Sequence, residues 1–409
     1  MTLNWQYYSD SNWSPVFTLI RLNVKFGGMD VYRPLWLNRL SKSWQATPIV
    51  WLSGVRRVGK TTLAGEVPNA TYLNCDLPRH VERLSDPESF YSSLKTAVVI
   101  LDEVHQLPDP SRLLKIGADV FPKLKILATG SSTLAATNKF RDSLTGRKRQ
   151  VHLLPVLFEE LISFGITDIR ERLIRGGLPP VLLGATRDEE FYAEWMDSYY
   201  ARDVQELFKV EKRTGFMRLL RLLLRQSGGL IEVTKLARDC ELSRPTVMNY
   251  LEVFEATHVV IRLIPHSGKR RGELVSQPKI YCFDTGFVAF ERGWRELRGE
   301  DCGILWEHIV LETLQSIPSV REIKFWRDKE QREIDFVLPV SDDTYHAIEC
   351  KWGTEGFDAK NLKTFRALYP QGKNLVIAPH RSEPHTRKLD GLNVTFASPT
   401  QLRELLVAS

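Results

Sequence analysis

The sequence of 409 residues has only five cysteines: Cys75, Cys240, Cys282, Cys302 and Cys350. None forms a C-x-x-C pair, and no histidine stands at a zinc-finger spacing. That argues against structural zinc and for a reduced, cytoplasmic setting. There is no run of about 18 apolar residues, so neither a transmembrane helix nor a membrane partner is expected. The N-terminus lacks a basic start followed by an apolar stretch, so no secretory signal is expected. Fixed-period repeats and low-complexity tracts are absent. Charge of one sign is scarce too: 56 Lys+Arg face 50 Asp+Glu. This balance permits nucleic-acid binding without demanding it. What remains is the composition of an ordinary globular protein, long enough for two to three domains.

What is present is concentrated in a few segments. Gly54-Val55-Arg56-Arg57-Val58-Gly59-Lys60-Thr61 follows the apolar run Pro48-Ile49-Val50-Trp51-Leu52 and precedes the helix-prone Thr62-Leu63-Ala64. A strand, a glycine-bounded loop and a helix N-terminus together make an anion cradle. Lys60 then reaches the β- and γ-phosphates of a nucleotide, and the Thr61 hydroxyl holds Mg²⁺. The loop residues through Thr62 form the expected ATP-binding set. A second apolar run, Ala97-Val98-Val99-Ile100-Leu101, reads as a strand buried on both faces and ends in Asp102-Glu103. The carboxyl ends of such strands form the ligand crevice. Asp102 is expected to hold Mg²⁺, mostly through water, and Glu103 to polarise the attacking water.

These two segments resemble the Walker A and Walker B motifs of the AAA+ and signal-transduction P-loop ATPases. The resemblance implies a parallel sheet with strands near 48–53, 71–75, 97–102, 125–130 and 150–154, within a core of residues 29–156. It also implies a polar residue contacting the γ-phosphate or the water at the end of the Lys125–Gly130 strand, for which Ser131 is the candidate. Arg147, in Leu144-Thr145-Gly146-Arg147-Lys148-Arg149, is a candidate arginine finger from the same or a neighbouring subunit. It reads equally as part of a solvated basic loop. Residues 1–28 are polar and aromatic without a clean period, and Met29 reads as an alternative start.

A mostly helical stretch, residues 157–213, follows and contains Gly177-Leu178-Pro179. This matches the G-x-P motif that packs near the nucleotide in the resembled ATPases. Residues 214–298 resemble a winged helix-turn-helix. Ser243 is an N-cap and Pro245 lies in the first turn of its third helix, with Met248, Leu251 and Phe254 on the buried face. The resemblance puts Arg244, Thr246 and Asn249 at DNA bases or backbone, and Lys269, Arg270 and Arg271 on a phosphate-touching wing. The competing reading is a packing or protein-contact module.

Residues 299–409 carry the second chemical signal. Glu307 lies on a helix, Asp335 in the apolar strand Glu333–Leu338, and Glu349 and Lys351 in the strand beginning at Ala347. Strand alternation puts Glu349 and Lys351 on one face. If the strands pair, Asp335 and Glu349 form a hard-oxygen site suited to Mg²⁺, beside a lysine that orients water. The pattern resembles the PD-(D/E)XK nucleases, with Ile334 in place of the usual proline. The competing reading pairs the charges off, Asp335 with Lys351 or Glu349 with Arg332.

The whole resembles a prokaryotic family joining an AAA-type ATPase, a winged helix and a nuclease-like domain of otherwise unknown function. The expected fold is α/β: a P-loop sheet with a helical subdomain, a winged helix, then a restriction-endonuclease-like domain. The expected activity is Mg²⁺-dependent ATP hydrolysis directed at DNA, with metal-dependent cleavage by Glu307, Asp335, Glu349 and Lys351, in a chain that forms homo-oligomers. The alternatives are a nucleotide switch whose last domain binds DNA or protein without cutting, and a transcription regulator.

Overall fold

A computed structural model describes residues 32–130, 144–205, 208, 210, 212–266, 277–379 and 383–407. Five strands, β1 (Ile49–Ser53), β2 (Ala70–Asn74), β3 (Val98–Asp102), β4 (Lys125–Thr129) and β5 (Lys148–His152), form a parallel sheet in the order β2-β3-β4-β1-β5. All five residues of β1 are buried, as a strand between two helical layers must be. Alternation sends Val50, Leu52, Ile100 and Leu127 into one core and Ile49, Trp51, Leu101 and Ile126 into another. The strands fall within two residues of their expected positions. Because β4 lies between β1 and β3, the ends of all three meet at one edge.

Residues 157–205 are helical, with helices Ile169–Arg175, Pro179–Leu182 and Glu189–Ser198. The last runs into a π-helical turn, Tyr199–Gln205. Next come three helices, Arg213–Gln226, Val233–Asp239 and Arg244–Ala256, and an antiparallel hairpin of β6 (Val260–Leu263) and β7 (Lys279–Cys282). The third helix is capped as its sequence predicts: Ser243 accepts from the Thr246 N–H. Leu251 and Phe254 are buried, together with Val247, Tyr250 and Val253, whereas Met248 is half-buried.

The C-terminal part is a six-stranded mixed sheet in the order β12-β13-β11-β10-β9-β8. Its strands are β8 (Lys324–Arg327), β9 (Glu333–Ser341), β10 (Thr344–Cys350), β11 (Asn374–Ile377), β12 (His385–Leu389) and β13 (Leu392–Ala397). The 17-residue helix Gly299–Gln315 precedes the sheet, and Trp306 anchors it by donating to the Ile377 carbonyl. All five cysteines are buried and free. Among the described residues, no helix is long and apolar enough to cross a membrane.

Candidate functional site

The phosphate loop leaves the end of β1 and closes onto helix Lys60–Gly65. Gly54 and Gly59 have φ of +151° and +99°, and Arg57 also sits at positive φ. A Cβ on Gly54 would lie 2.6 Å from the Leu153 carbonyl oxygen, so the loop turns only because that position is glycine. Lys60 folds over the loop and donates to the carbonyls of Gly54 at 2.9 Å and Val55 at 3.3 Å. Burial pushes its ammonium below the ordinary lysine value, against the attraction of Glu103, Asp203 and Asp102.

The two acids stand across the crevice. Asp102 is 1% exposed and accepts hydrogen bonds from Tyr72 Oη at 2.6 Å and from Thr129 Oγ1. The Glu103 backbone has φ +55°, and its N–H donates to Thr129 Oγ1 at 3.1 Å. Burial raises the Glu103 carboxyl, but the His105 hydrogen bond and the charges of Lys60 and Arg56 outweigh it and leave the group below the usual glutamate range. Glu103 is therefore ionised at neutral pH, as an acceptor for a water proton must be.

The loop and Glu103 line a cavity of about 850 Å³ whose far wall comes from later in the chain: Pro179, Trp195, Tyr199, Arg202 and Asp203. Pro179 lies 3.8 Å from where a Cβ on Gly59 would be. Trp195 Nε1 donates to the Arg56 carbonyl at 2.9 Å, and Arg56 Nε pairs with Asp203 at 3.0 Å. Gly177-Leu178-Pro179 thus does reach the loop. Arg147 does not. Its carbonyl accepts from Ile49 N–H at the start of β1, while the phosphate loop leaves the end of that strand. Its guanidinium pairs with Asp119 at 2.6 Å. In a parallel sheet, a residue preceding β5 lies on the edge opposite the crevice, so Arg147 cannot serve its own chain's loop. Ser131 lies outside the described residues.

The C-terminal acids are gathered by β9, β10 and helix Gly299–Gln315. Asp335 accepts from Cys350 N–H at 2.7 Å, and Lys351 Nζ lies 2.6 Å from Glu349 and 3.9 Å from Asp335. Burial raises both carboxyls above their ordinary values, Asp335 further through Glu307 and Glu349 further through Asp335. Arg332 pairs with Asp328 and Glu330, so the expected Glu349–Arg332 alternative does not form. Glu307 bonds to Lys279 at 3.0 Å and to Tyr281 at 2.5 Å, both on β7. Among the described residues, no three acids, histidines or cysteines stand together as a ligand set for a metal. On the hairpin unit, Arg244 and Asn249 are exposed and Thr246 is half-buried, its hydroxyl 2.7 Å from that of Ser243. Lys269, Arg270 and Arg271 lie outside the described residues.

Residues 46–162 match the family model of an AAA domain. Over this segment the chain is similar to AAA-type P-loop domains. Residues 166–298 and 302–396 match two domains of unknown function, DUF8612 and DUF4143. An uncharacterized protein of Mycobacterium tuberculosis is 29% identical over 344 residues, 80% of this chain and 73% of its own. One from Methanocaldococcus jannaschii is 24% identical over 319 residues, 70% of each chain. A Walker-type ATPase of Pyrococcus abyssi is similar in structure, with 17% identity and a TM-score of 0.42 over 67% of this chain and 99% of that one.

Three groups at the AAA domain's crevice escaped the sequence reading. Thr129 and Tyr72 end up on Asp102 only because β2, β3 and β4 are neighbours. Asp203 comes from a π-helical turn, which has no sequence signature here. For Thr129 the one signal is a hydroxyl at the end of the apolar run Ile126–Ala128.

Proposed function

We propose that this protein binds Mg²⁺–ATP in the crevice of its AAA domain and hydrolyses it. The observation that carries the reading is the juxtaposition of the phosphate loop, Lys60 at the start of its helix, and Glu103 around one cavity, with Asp102 ending β3 directly before Glu103. The residues fit a triphosphate. The loop's glycines leave no Cβ in the cradle, and the Lys60 ammonium is held over the loop by carbonyls that phosphate oxygens would replace. Thr61 and Asp102 would hold Mg²⁺, Asp102 through water. When bound, the ion draws charge off the phosphates. Glu103 accepts a proton from the attacking water, with its orientation fixed by Thr129. Pro179, Trp195 and Tyr199 exclude bulk water. The test is Lys60→Ala in the full chain: a fluorescent ATP analogue should lose binding by at least about 100-fold with the fold intact by circular dichroism. Unchanged affinity would discard the site.

The protein acts on DNA in this reading, through the winged helix-turn-helix formed by the three helices and the β6–β7 hairpin. The exposure of Arg244 and Asn249 at the start of the third helix supports this. A second reading, metal-dependent cleavage by the C-terminal part, is favoured by the adjacency of Asp335, Glu349 and Lys351 on paired strands.

A further inference from the structure

Strand β7 belongs by sequence to the hairpin unit, yet two of its side chains end in the C-terminal acid cluster. Lys279 and Tyr281 are two residues apart and so project from the same face. Lys279 is only 4% exposed. Its Nζ donates to Glu307 Oε2 at 3.0 Å and to Glu333 Oε1 at 2.7 Å. Tyr281 Oη donates to that same Glu307 oxygen at 2.5 Å. Arg327 takes the other oxygen of Glu333 at 2.8 Å, and Lys351 covers Glu349 and Asp335. The cluster already contains cations, all from the chain itself, and one comes from a different unit of the fold.

The buried Lys279 ammonium is paired with two carboxylates, Glu307 at 3.0 Å and Glu333 at 2.7 Å. A buried charge persists when it is paired and hydrogen-bonded in this way. A divalent ion would need the same oxygens at about 2.0–2.6 Å. The oxygen of Glu307 that bonds Lys279 and Tyr281 cannot also ligate a metal without displacing them.

We infer that Lys279 is a built-in counter-ion that keeps the C-terminal acid cluster closed to divalent metal, and that withdrawal of β7 opens it. This rests on the reading of Glu307, Asp335 and Glu349 as a metal-dependent group. The strand is poised for such a role because its continuation is tied to the phosphate pocket. Asp284 accepts from Gly177 N–H at 2.6 Å, and the Gly177-Leu178-Pro179 segment reaches the cradle at Gly59. Gly177 and Asp284 thus link the Pro179 segment to the chain just past β7.

The experiment uses the nucleotide-free full chain and Mn²⁺ as the probe, read by calorimetric titration and by thermal unfolding. The wild type should show little Mn²⁺ binding at these acids. Lys279→Met, which keeps the length of the side chain and removes its charge, should bind Mn²⁺ at least about tenfold more tightly and gain Tm with the metal. Adding Asp335→Asn to Lys279→Met should abolish both gains. If Lys279→Met does not fold with or without Mn²⁺, Lys279→Gln, a neutral donor, replaces it and is read the same way. A folded variant with the affinity of the wild type overturns the inference, because the lysine would then be a structural pair only. Plasmid nicking by the Mn²⁺-loaded variant separates the two readings. Metal binding without nicking discards cleavage and leaves the counter-ion role standing.

Discussion

Thr129 shows how one hydroxyl can set the geometry of two acids. It donates to Asp102 and accepts from the Glu103 N–H, so it fixes both the carboxylate proposed for the metal and the backbone that aims the proposed base. Thr129→Val keeps the shape, removes the hydroxyl and leaves the Glu103 N–H without its partner. Nucleotide affinity should stay within about threefold, while phosphate release slows by about 10–100-fold. Equal losses in both measurements would mean that Thr129 supports the loop and not the acids. The phosphate loop itself was legible in the sequence because its whole mechanism is local: Gly54 to Thr61 are contiguous and the flanking strand and helix announce themselves. Thr129 was not, because its role depends on β4 lying beside β3. Ser131, expected to contact the γ-phosphate or the water, lies outside the described residues.

At the level of elements, the periodicities held and the edges did not. Alternation placed Glu349 and Lys351 on one face, and they meet at 2.6 Å. Arg147, left open between an arginine finger of the same or a neighbouring subunit and a solvated basic loop, precedes β5 and so lies on the edge opposite its own chain's crevice. The opposite end of β5 holds a pair that was not anticipated. His152 packs against His258, just beyond helix Arg244–Ala256, with ring centroids 3.9 Å apart and the planes tilted by 39°. Glu255 and Arg262 line the same small cavity, and Ser53 Oγ lies 3.3 Å from His152 Nδ1. Burial holds His152 well below the ordinary histidine value, reinforced by His258, Lys60 and Arg39. Burial and then Lys60 depress His258 to about 4. A histidine whose folded value lies below its unfolded one stabilises the fold above about pH 6.5. That contribution is lost as pH falls through the folded value. The protein should therefore lose stability between pH 6.5 and about pH 4, by at most about 3 kcal/mol from His258. His258 has φ +61°, so asparagine, which tolerates that conformation, is the fitting replacement. His258→Asn should flatten the dependence of Tm on pH over this interval. An unchanged slope would assign the acid sensitivity to other groups.

Across the whole molecule, the joints between segments were not legible in the sequence, because their longest links join residues more than 100 positions apart. Arg172 is the centre of one of them. It is fully buried in the helical stretch, and its Nε donates to the Val156 carbonyl, where the chain leaves the AAA domain, at 3.0 Å. Its two other nitrogens reach Thr285 Oγ1, just past β7, at 3.0 Å and Glu312, on helix Gly299–Gln315, at 2.6 Å. Burial raises the Glu312 carboxyl to about 7 even with Arg172 opposing the shift. Arg172→Met would strand that carboxylate without a cation and should cost about 3–5 kcal/mol in denaturant unfolding. Arg172→Met combined with Glu312→Leu removes both charges at once. Replacing a buried pair by apolar residues of similar volume is often close to neutral. The double variant should therefore recover most of the loss. If it is as unstable as the single variant, the joint is held by the bonds to Val156 and Thr285, and the ion pair contributes little to it.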